Sequence, residues 1–135
     1  MKVRVIDFGY NSLPNRAHEN DAGADVYSTR QLVVYPHTTE KIPLGLGLEL
    51  PDGFAGFIYP RSGLSSKGIV CELPPIDSGY RGEIHAIVSN VSDEPYQINK
   101  GDRIGQLVIT PVVTADFVTE KSEERGAGAF ASTGR

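Results

Sequence analysis

Glycine and proline recur so often along this sequence that they restrict it to short extended segments. The 135 residues include 15 glycines and 9 prolines, which interrupt nearly every window in which a helical period of about 3.6 residues begins. The runs between them are rich in Val, Ile, Tyr and Phe, as in VRVIDF, QLVVYP, GLGLELP, AGFIYP, GIVCEL, EIHAIVSN, RIGQLVI and ADFV. We therefore predict an all-β fold, a sandwich, jelly roll or small barrel, with at most one short helix near SSKG.

The composition narrows the class of protein and its partners. A chain of this length suits one domain. Its 17 acidic and 13 basic residues give a formal net charge of -4, the wrong sign for a protein that gathers nucleic-acid phosphates. No stretch approaches the roughly 20 apolar residues that span a bilayer. The start of the chain lacks an apolar core of signal-peptide length, and the single cysteine, Cys71, cannot form an internal disulfide. We expect a cytoplasmic protein without nucleic-acid or membrane partners.

Several of the extended runs are apolar on both alternating faces, QLVVY and RIGQLVI among them. Such a strand is buried on both sides, either within its own chain or against a partner subunit, and the sequence favours neither alternative. Beyond Val118 the composition changes to EKSEERGAGAFASTGR, which is charged at first and then small and glycine-rich. We predict a β-rich domain over residues 1–118 and a flexible arm over residues 119–135.

The segment PRSGLSSKG contains a guanidinium, three hydroxyls and two glycines within nine residues. Glycine lets the backbone approach a ligand, and Arg61 and Ser62 supply donors that suit phosphate oxygens. The segment is therefore a candidate phosphate cradle. A polar turn whose serines cap a short helix explains it equally well when it is considered alone.

The segment IDSGYRGEI places Asp77 just before a tight turn at Ser78 and Gly79. A single carboxylate at a turn is usually structural. However, Asp77 follows Arg61 by 16 residues, and one hairpin between them can return the carboxylate close to the phosphate donors. A carboxylate beside a bound triphosphate is what general-base activation of water requires. Asp77 is therefore the candidate base.

Two further segments carry polar side chains among apolar or small residues. In KGDRIGQLV, Gln106 is an amide within an apolar strand, so it is either bound by neighbouring backbone or directed at a ligand. In NDAGADVYS, Asp21 and Asp25 flank a turn of small residues. Carboxylates of this kind suit magnesium through retained waters, and an Asx-turn fits equally well.

The segment RGAGAFASTG near the C-terminus is rich in glycine but is not a P-loop. The Walker pattern needs a Lys before its Ser or Thr and a helix after it, whereas Ala131 precedes Ser132 here. The segment offers a charged anchor at Arg125, a ring at Phe130, and hydroxyls at Ser132 and Thr133. Such an arm can order over a ligand and exclude water, or remain a disordered terminus.

In their order and spacing, these five segments resemble the five motifs of the homotrimeric dUTPase family, and they span nearly the whole chain. The resemblance implies a jelly-roll-like β subunit and a homotrimer with three active sites at subunit interfaces, where the arm of one chain closes over a site built by the other two. It also implies hydrolysis of dUTP to dUMP and pyrophosphate, which limits uracil incorporation into DNA and supplies dUMP for thymidylate synthesis.

The same resemblance implies a role for each candidate residue. Asp77 activates the water that attacks the α-phosphorus, Tyr80 packs under the deoxyribose without room for a 2′-hydroxyl, and Asp25 orients waters of a Mg²⁺ bound to the triphosphate. Phe130 covers the base. The residues implied to hold phosphate oxygens are Arg61, Ser62, Gly63, Gln106, Arg125, Ser132 and Thr133.

The chain departs from the family in the hairpin that reads the base. The stretch GIVCELPPI before Asp77 is shorter than in many members, and Pro74 and Pro75 stand where a glycine is common. Cys71 or a neighbour occupies the place where some members use an asparagine against the pyrimidine edge. The sequence therefore predicts phosphate chemistry more firmly than uracil selectivity.

Two other functions are compatible with the same fold. The dCTP deaminases share an Ile-Asp-x-Gly-aromatic turn but need a glutamate about ten residues beyond the aspartate, where this chain has Ile87, with Glu83 nearby. A non-catalytic, nucleotide-sensing regulator is the second alternative. All the predicted catalytic positions are filled, which favours the dUTPase.

Overall fold

The structure, a computed structural model, describes residues 1–121, which contain ten strands and one short helix. The elements are β1 Arg4–Asp7, β2 Ala24–Tyr27, β3 Leu32–Val34, β4 Thr39–Pro43, β5 Leu46–Glu49, β6 Phe54–Tyr59, α1 Ser62–Ser65, β7 Ile69–Glu72, β8 His85–Asn90, β9 Tyr96–Ile98 and β10 Arg103–Pro111. The predicted all-β fold is confirmed, and the one described helix begins three residues before the SSKG segment. No helix of the described residues is long and apolar enough to cross a membrane.

The strands pair antiparallel in four small sheets. β1 pairs with β5 and β3 with β9, while the two three-stranded sheets have the orders β2-β10-β6 and β4-β8-β7. Among the strands of residues 1–121, only β7 and β8 are both paired and consecutive. Pairing between strands that are distant in sequence is typical of jelly rolls rather than of simple meanders.

The core is formed by alternate residues of the strands. In β8, for example, Ala86, Val88 and Asn90 are buried, whereas the residues between them are only half-buried, as expected when one face of a sheet covers the core. Each fully buried aliphatic side chain contributes about 1.5–3 kcal/mol. The largest of these are Ile42, Leu44, Leu46, Leu48, Ile98 and Ile104.

The strands that are apolar on both faces have only one face covered by their own chain. Val33 of β3 and Val108 of β10 are half-buried, whereas Val34 and Leu107 beside them are buried. Phe57 of β6, which lies opposite Val108, is also half-buried. The chain by itself therefore buries the second face of these strands only in part.

The predicted strand ADFV is not a strand in the structure, so this prediction was wrong for the isolated chain. Residues 112–121 contain no strand, and Val113 and Phe117 are 91% and 97% exposed. A strand needs a neighbour to accept its hydrogen bonds, and the described part of this chain pairs none with this segment. The last strand ends at Pro111, and the domain boundary at residue 118 stays a prediction.

Candidate active site

Strand β10 brings three of the predicted motifs side by side. Gln106 lies opposite Asp25 of β2 on one side and Tyr59 of β6 on the other. Arg61 follows Tyr59 by two residues, so the phosphate-cradle segment begins at the same edge of the sheet. Directly opposed residues have Cβ atoms about 4.5–5.5 Å apart. The structure thus gathers a carboxylate, an amide and the start of the cradle at one end of one sheet.

The position of the Gln106 side chain depends on the absence of a side chain at Gly23, the residue just before β2. A Cβ at Gly23 would lie 2.5 Å from Oε1 of Gln106 and 2.8 Å from its Cβ, closer than non-bonded atoms approach. The amide is half-buried and has no side-chain hydrogen bond within residues 1–121. Of the two predicted alternatives, an amide directed at a ligand fits the structure better than one satisfied by neighbouring backbone.

The two aspartates of NDAGADVYS differ in what they bind. Oδ2 of Asp21 accepts the backbone N–H of His18 at 2.9 Å, so this carboxylate stabilises a turn. Oδ2 of Asp25 lies 3.4 Å from Nη1 of Arg103, and the Asp25 side chain is 16% exposed. The ion pair uses one carboxylate oxygen of Asp25, and Oδ1 has no partner among the described residues.

The phosphate-cradle segment forms the N-terminus of α1. Arg61 is the N-cap residue, and its half-buried side chain lines a cavity of about 240 Å³ together with Asp102 and Arg103. Ser62 and Gly63 are exposed, and nothing lies within 4 Å of where a Gly63 side chain would begin. No side-chain hydrogen bond caps the N-terminus of the helix. At its C-terminus the hydroxyl of Ser66, the C-cap residue, donates to the carbonyl of Gly63 at 3.0 Å, so the alternative in which a serine caps the helix is observed at this end.

Asp77 and Tyr80 lie on the long connection between β7 and β8. The Tyr80 hydroxyl donates to the carbonyl of Glu83 at 2.8 Å. A Cβ at Gly82 would lie 2.6 Å from that hydroxyl, so the ring keeps its place because residue 82 is a glycine. Asp77 is exposed, and the two residues line a second cavity of about 240 Å³. Other residues of its wall are Lys41, Glu72, Pro74, Pro75, His85 and Ile87.

Asp77 and Arg61 line different cavities of the chain. Ile76 pairs with Gly56 near the start of β6, through backbone hydrogen bonds of 2.7 and 3.0 Å, whereas Arg61 follows the end of the same strand. Five residues of extended chain span roughly 16 Å. The hairpin therefore does not return Asp77 to the phosphate donors of its own chain, as the sequence had suggested.

His85 pairs with β4 on one side, but on its β7 side the backbone has no partner strand and faces the Asp77 cavity. Residues of an antiparallel strand bond alternately to its two neighbours, and Asn90 bonds on the β4 side, so the odd-numbered residues of β8 face β7. That ladder ends where Ile87 lies opposite Glu72. The next odd-numbered residue, His85, directs its N–H and C=O into the gap, and continuing the register places Pro74 there, which has no N–H.

Cys71 and Glu72 point to opposite faces of β7, as successive residues of a strand do. Cys71 packs against the core, where burial, with a smaller effect of the Glu72 charge, raises the pKa of its thiol from 9.0 to about 11. Glu72 lines the Asp77 cavity. Of the residues that the sequence offered for the pyrimidine edge, Glu72 therefore lines the Asp77 cavity and Cys71 faces the core.

Comparison with known proteins identifies the family. A profile of the dUTPase family matches residues 10–134. A deoxyuridine 5'-triphosphate nucleotidohydrolase of Tropheryma whipplei (strain Twist) is 45% identical over 142 residues, which cover 100% of this chain and 97% of that protein. The chain belongs to the dUTPase family. A Clostridium tetani relative with the same description is 41% identical over 91% of this chain and 89% of its own.

Solved structures of dUTPases have the same fold. A mutant dUTPase from phage phi11 of S. aureus, which coordinates a structural Mg(II) ion, superposes with a TM-score of 0.85 at 28% identity, covering 92% of this chain and 99% of its own. A mutant dUTPase of Staphylococcus bacteriophage 80alpha with dUpNHpp has a TM-score of 0.82 at 30% identity, covering 99% of both chains. The predicted jelly-roll-like fold and the predicted enzyme class, a dUTP nucleotidohydrolase, are confirmed.

For this dUTPase, the predicted metal-binding residue Asp25 lies in the part of the chain that the structure describes, whereas the predicted arm contacts do not. Within residues 1–121 no three His, Cys, Asp or Glu side chains form a group that could hold a metal ion by themselves. Magnesium is usually held by one or two carboxylates together with substrate phosphates and waters, and the uncommitted oxygen of Asp25 fits that arrangement. The four predicted arm contacts lie outside the described residues, namely Arg125, Phe130, Ser132 and Thr133.

Two residues of the site, Arg103 and His85, were not predicted, and Glu72 was offered only as an unnamed neighbour of Cys71. Arg103 lies in a predicted motif, but its ion pair with Asp25 spans 78 residues of sequence and has no local signal. Glu72 faces the cavity only because of the strand register. His85 contributes backbone atoms, so its residue type carries no signal at all.

Proposed function

We propose that this dUTPase hydrolyses dUTP by in-line attack of water on the α-phosphorus, with Asp77 as the general base. The observation that carries this proposal is that Asp77 shares one cavity with the Tyr80 ring and with the unpaired backbone edge of His85. That cavity combines a proton acceptor, a flat apolar surface and a hydrogen-bonding edge. These three elements suit the reacting water, the sugar and the base of one nucleotide.

The His85 edge suits the base. Its N–H and C=O present a donor and an acceptor side by side, and uracil offers an N3–H donor between two carbonyl acceptors. A base in the gap opposite His85 therefore takes the place of the strand residue that Pro74 cannot supply. Buried polar groups left without partners are costly, so the edge selects a ligand that satisfies both of its groups.

The Tyr80 ring suits the sugar. It is half-exposed, and its hydroxyl is held by the Glu83 carbonyl, so the face of the ring is available for packing. A deoxyribose that packs against this face has no space for a 2′-hydroxyl. This arrangement accounts for selection of deoxynucleotides over ribonucleotides.

Asp77 is placed to accept a proton from water. It is exposed to solvent, so water reaches its carboxylate without a conformational change. As the water oxygen bonds to the α-phosphorus, its proton passes to Asp77 and the bond to the β-phosphate oxygen breaks, releasing pyrophosphate. A positioned base of this kind contributes about 10²–10⁴ in rate.

The other half of the site holds the triphosphate. The donors are the Arg61 guanidinium, the Ser62 hydroxyl, the backbone at Gly63 and the Gln106 amide. Asp25, whose carboxylate is paired with Arg103, would orient waters of a magnesium ion that binds with the substrate. When bound, Mg²⁺ neutralises charge on the leaving pyrophosphate.

We further propose that the two halves come from different chains of a homotrimer. Asp77 and Arg61 of one chain lie in separate cavities, and a second copy could bring its Arg61 to the Asp77 cavity. The half-buried apolar residues Phe57 and Val108 provide a surface that such an interface would cover. Each site then becomes complete only in the assembly, with the arm of a third chain over it.

A pyrophosphate-release assay with dUTP, dTTP, dCTP and UTP, with and without Mg²⁺, tests the proposal. We expect rapid Mg²⁺-dependent release from dUTP and none from UTP, and light scattering should give three chains per particle. Folded protein that leaves dUTP intact would refute the proposed function. A fully active monomer would refute the shared site alone.

The deaminase alternative is not favoured by the cavity. Ile87 lines it where a deaminase needs its glutamate, and Oε2 of Glu83 accepts the backbone N–H of Gly45 at 3.0 Å. No observation in the described residues favours a non-catalytic regulator over the enzyme.

A further inference from the structure

Glu72 is a carboxylate that lines the Asp77 cavity, and the proposed reaction gives it no role. It is exposed on β7, lies opposite Ile87, and forms no ion pair or hydrogen bond within residues 1–121. The cavity's other carboxylates are Asp77, assigned to the water, and Glu83, engaged by Gly45. Glu72 is thus the free acceptor nearest to the end of the β7 ladder.

The hairpin residues that follow Glu72 offer hydrogen-bond acceptors but few hydrogen-bond donors. Pro74 and Pro75 have carbonyl oxygens and no N–H, and an ionised carboxylate only accepts hydrogen bonds. The amine of Lys41 is the opposing charge in the cavity, but the register Lys41, Ile87, Glu72 separates it from Glu72 by two strand spacings, about 9–10 Å. The side of the cavity along β7 therefore favours a ligand that presents hydrogen-bond donors.

We propose that Glu72 accepts a hydrogen bond from the exocyclic amine of cytosine, and that this chain hydrolyses dCTP as a second substrate. The inference rests on the proposed function, because it uses the same cavity and the same base. The N–H of His85 can donate to N3 of cytosine, while its C=O accepts one hydrogen of the amine. The second hydrogen of the amine then points along the gap towards Glu72. Uracil carries O4 in place of this amine, so it would present a hydrogen-bond acceptor to the Glu72 carboxylate, which is itself an acceptor.

The chemistry of the second substrate is unchanged. Water attacks the α-phosphorus of dCTP, its proton passes to Asp77, and the bond to the β-phosphate oxygen breaks. The products are dCMP and pyrophosphate, and the amine stays on the base. Sites that hydrogen-bond a polar group discriminate strongly by leaving unmatched groups unpaired, so a carboxylate at this position shifts the balance from uracil towards cytosine.

The first test compares the two substrates on the unmodified protein. We expect kcat/KM for dCTP to lie within about tenfold of the value for dUTP. The reason is that the hydrogen bond from the cytosine amine to Glu72 compensates for the hydrogen bond that only uracil can make with the His85 edge. Mass spectrometry should find dCMP. Hydrolysis of dUTP without hydrolysis of dCTP overturns this inference and leaves the proposed function standing, whereas loss of both overturns both. Deaminated products from dCTP also overturn it.

The second test substitutes Glu72→Gln, with Glu94→Gln as the matched control. Glu94 is exposed beyond the far end of β8, so its substitution removes the same charge away from the cavity. Glutamine can donate to O4 of uracil and weakens the bond to the amine. We expect the ratio of kcat/KM for dCTP to that for dUTP to fall at least tenfold in Glu72→Gln and to stay constant in Glu94→Gln. An unchanged ratio in the first variant, or an equal fall in both, refutes the role of Glu72.

Discussion

Replacing Asp77 by asparagine tests the proposed reaction with little disturbance of the fold. Asp77 is exposed, and its carboxylate makes no ion pair or hydrogen bond within residues 1–121; only its backbone carbonyl is used, by the N–H of Tyr80 at 3.1 Å. We therefore expect the free energy of unfolding to change by less than about 0.5 kcal/mol. Turnover should fall by about 10²–10⁴ because the amide cannot accept the proton, which corresponds to about 3–5 kcal/mol of activation free energy.

The assay is pyrophosphate release over a range of dUTP concentrations, with urea unfolding of each variant. The matched control is Asp93→Asn, which makes the same chemical change at a side chain that is 94% exposed and outside the Asp77 cavity. We expect kcat to fall and KM to stay nearly constant for Asp77→Asn, because only the transition state loses an interaction. A folded Asp77→Asn enzyme with kcat within tenfold of the original would refute the general-base role.

Three further predictions concern the positions of single side chains. Gly23→Ala should displace the Gln106 amide, since the new Cβ would lie 2.5 Å from Oε1, and should raise KM for dUTP about tenfold in steady-state assays; an unchanged KM would contradict the role of Gln106. Gly45→Ala combines a φ of +76° with a Cβ 2.6 Å from neighbouring backbone, and should lose about 2–4 kcal/mol in urea unfolding; Gly53→Ala, at φ +88° in open space, should lose only about 1–2 kcal/mol. Alkylation of the native Cys71 thiol should accelerate with pH up to about 11, because its pKa is raised from 9.0 to about 11. The free energy of unfolding linked to this thiol is fully present below pH 9 and is lost as the pH rises towards 11. A midpoint near pH 9 for the Cys71 thiol in the folded protein would contradict the burial argument.

Several features of the fold and site were predictable from the sequence because they depend on local chemistry. The density of glycine and proline excluded long helices, and the short apolar runs marked most of the strands. The motif residues Asp25, Arg61, Asp77, Tyr80 and Gln106 were found because their types and order match a known family. Strands β2, β4 and β9 were missed because their sequences, ADVY, TEKIP and YQI, include charged or polar residues and so do not form an apolar run.

The arrangement of those residues was not predictable, because strand pairing acts over long sequence separations. Gln106 meets Asp25 and Tyr59 only through the order β2-β10-β6. The local argument that a hairpin returns Asp77 to Arg61 was wrong for one chain, since Ile76 pairs near the opposite end of β6.

The sequence by itself determined that this chain forms short strands, belongs to the dUTPase family and carries the candidate site residues in its five motifs. Only the tertiary structure decided which side chains share a cavity. The physical reason is the two-residue period of a strand, because a shift of register by one residue exchanges its two faces. That register directs Cys71 into the core and Glu72 into the Asp77 cavity, a choice that neither residue's type could reveal.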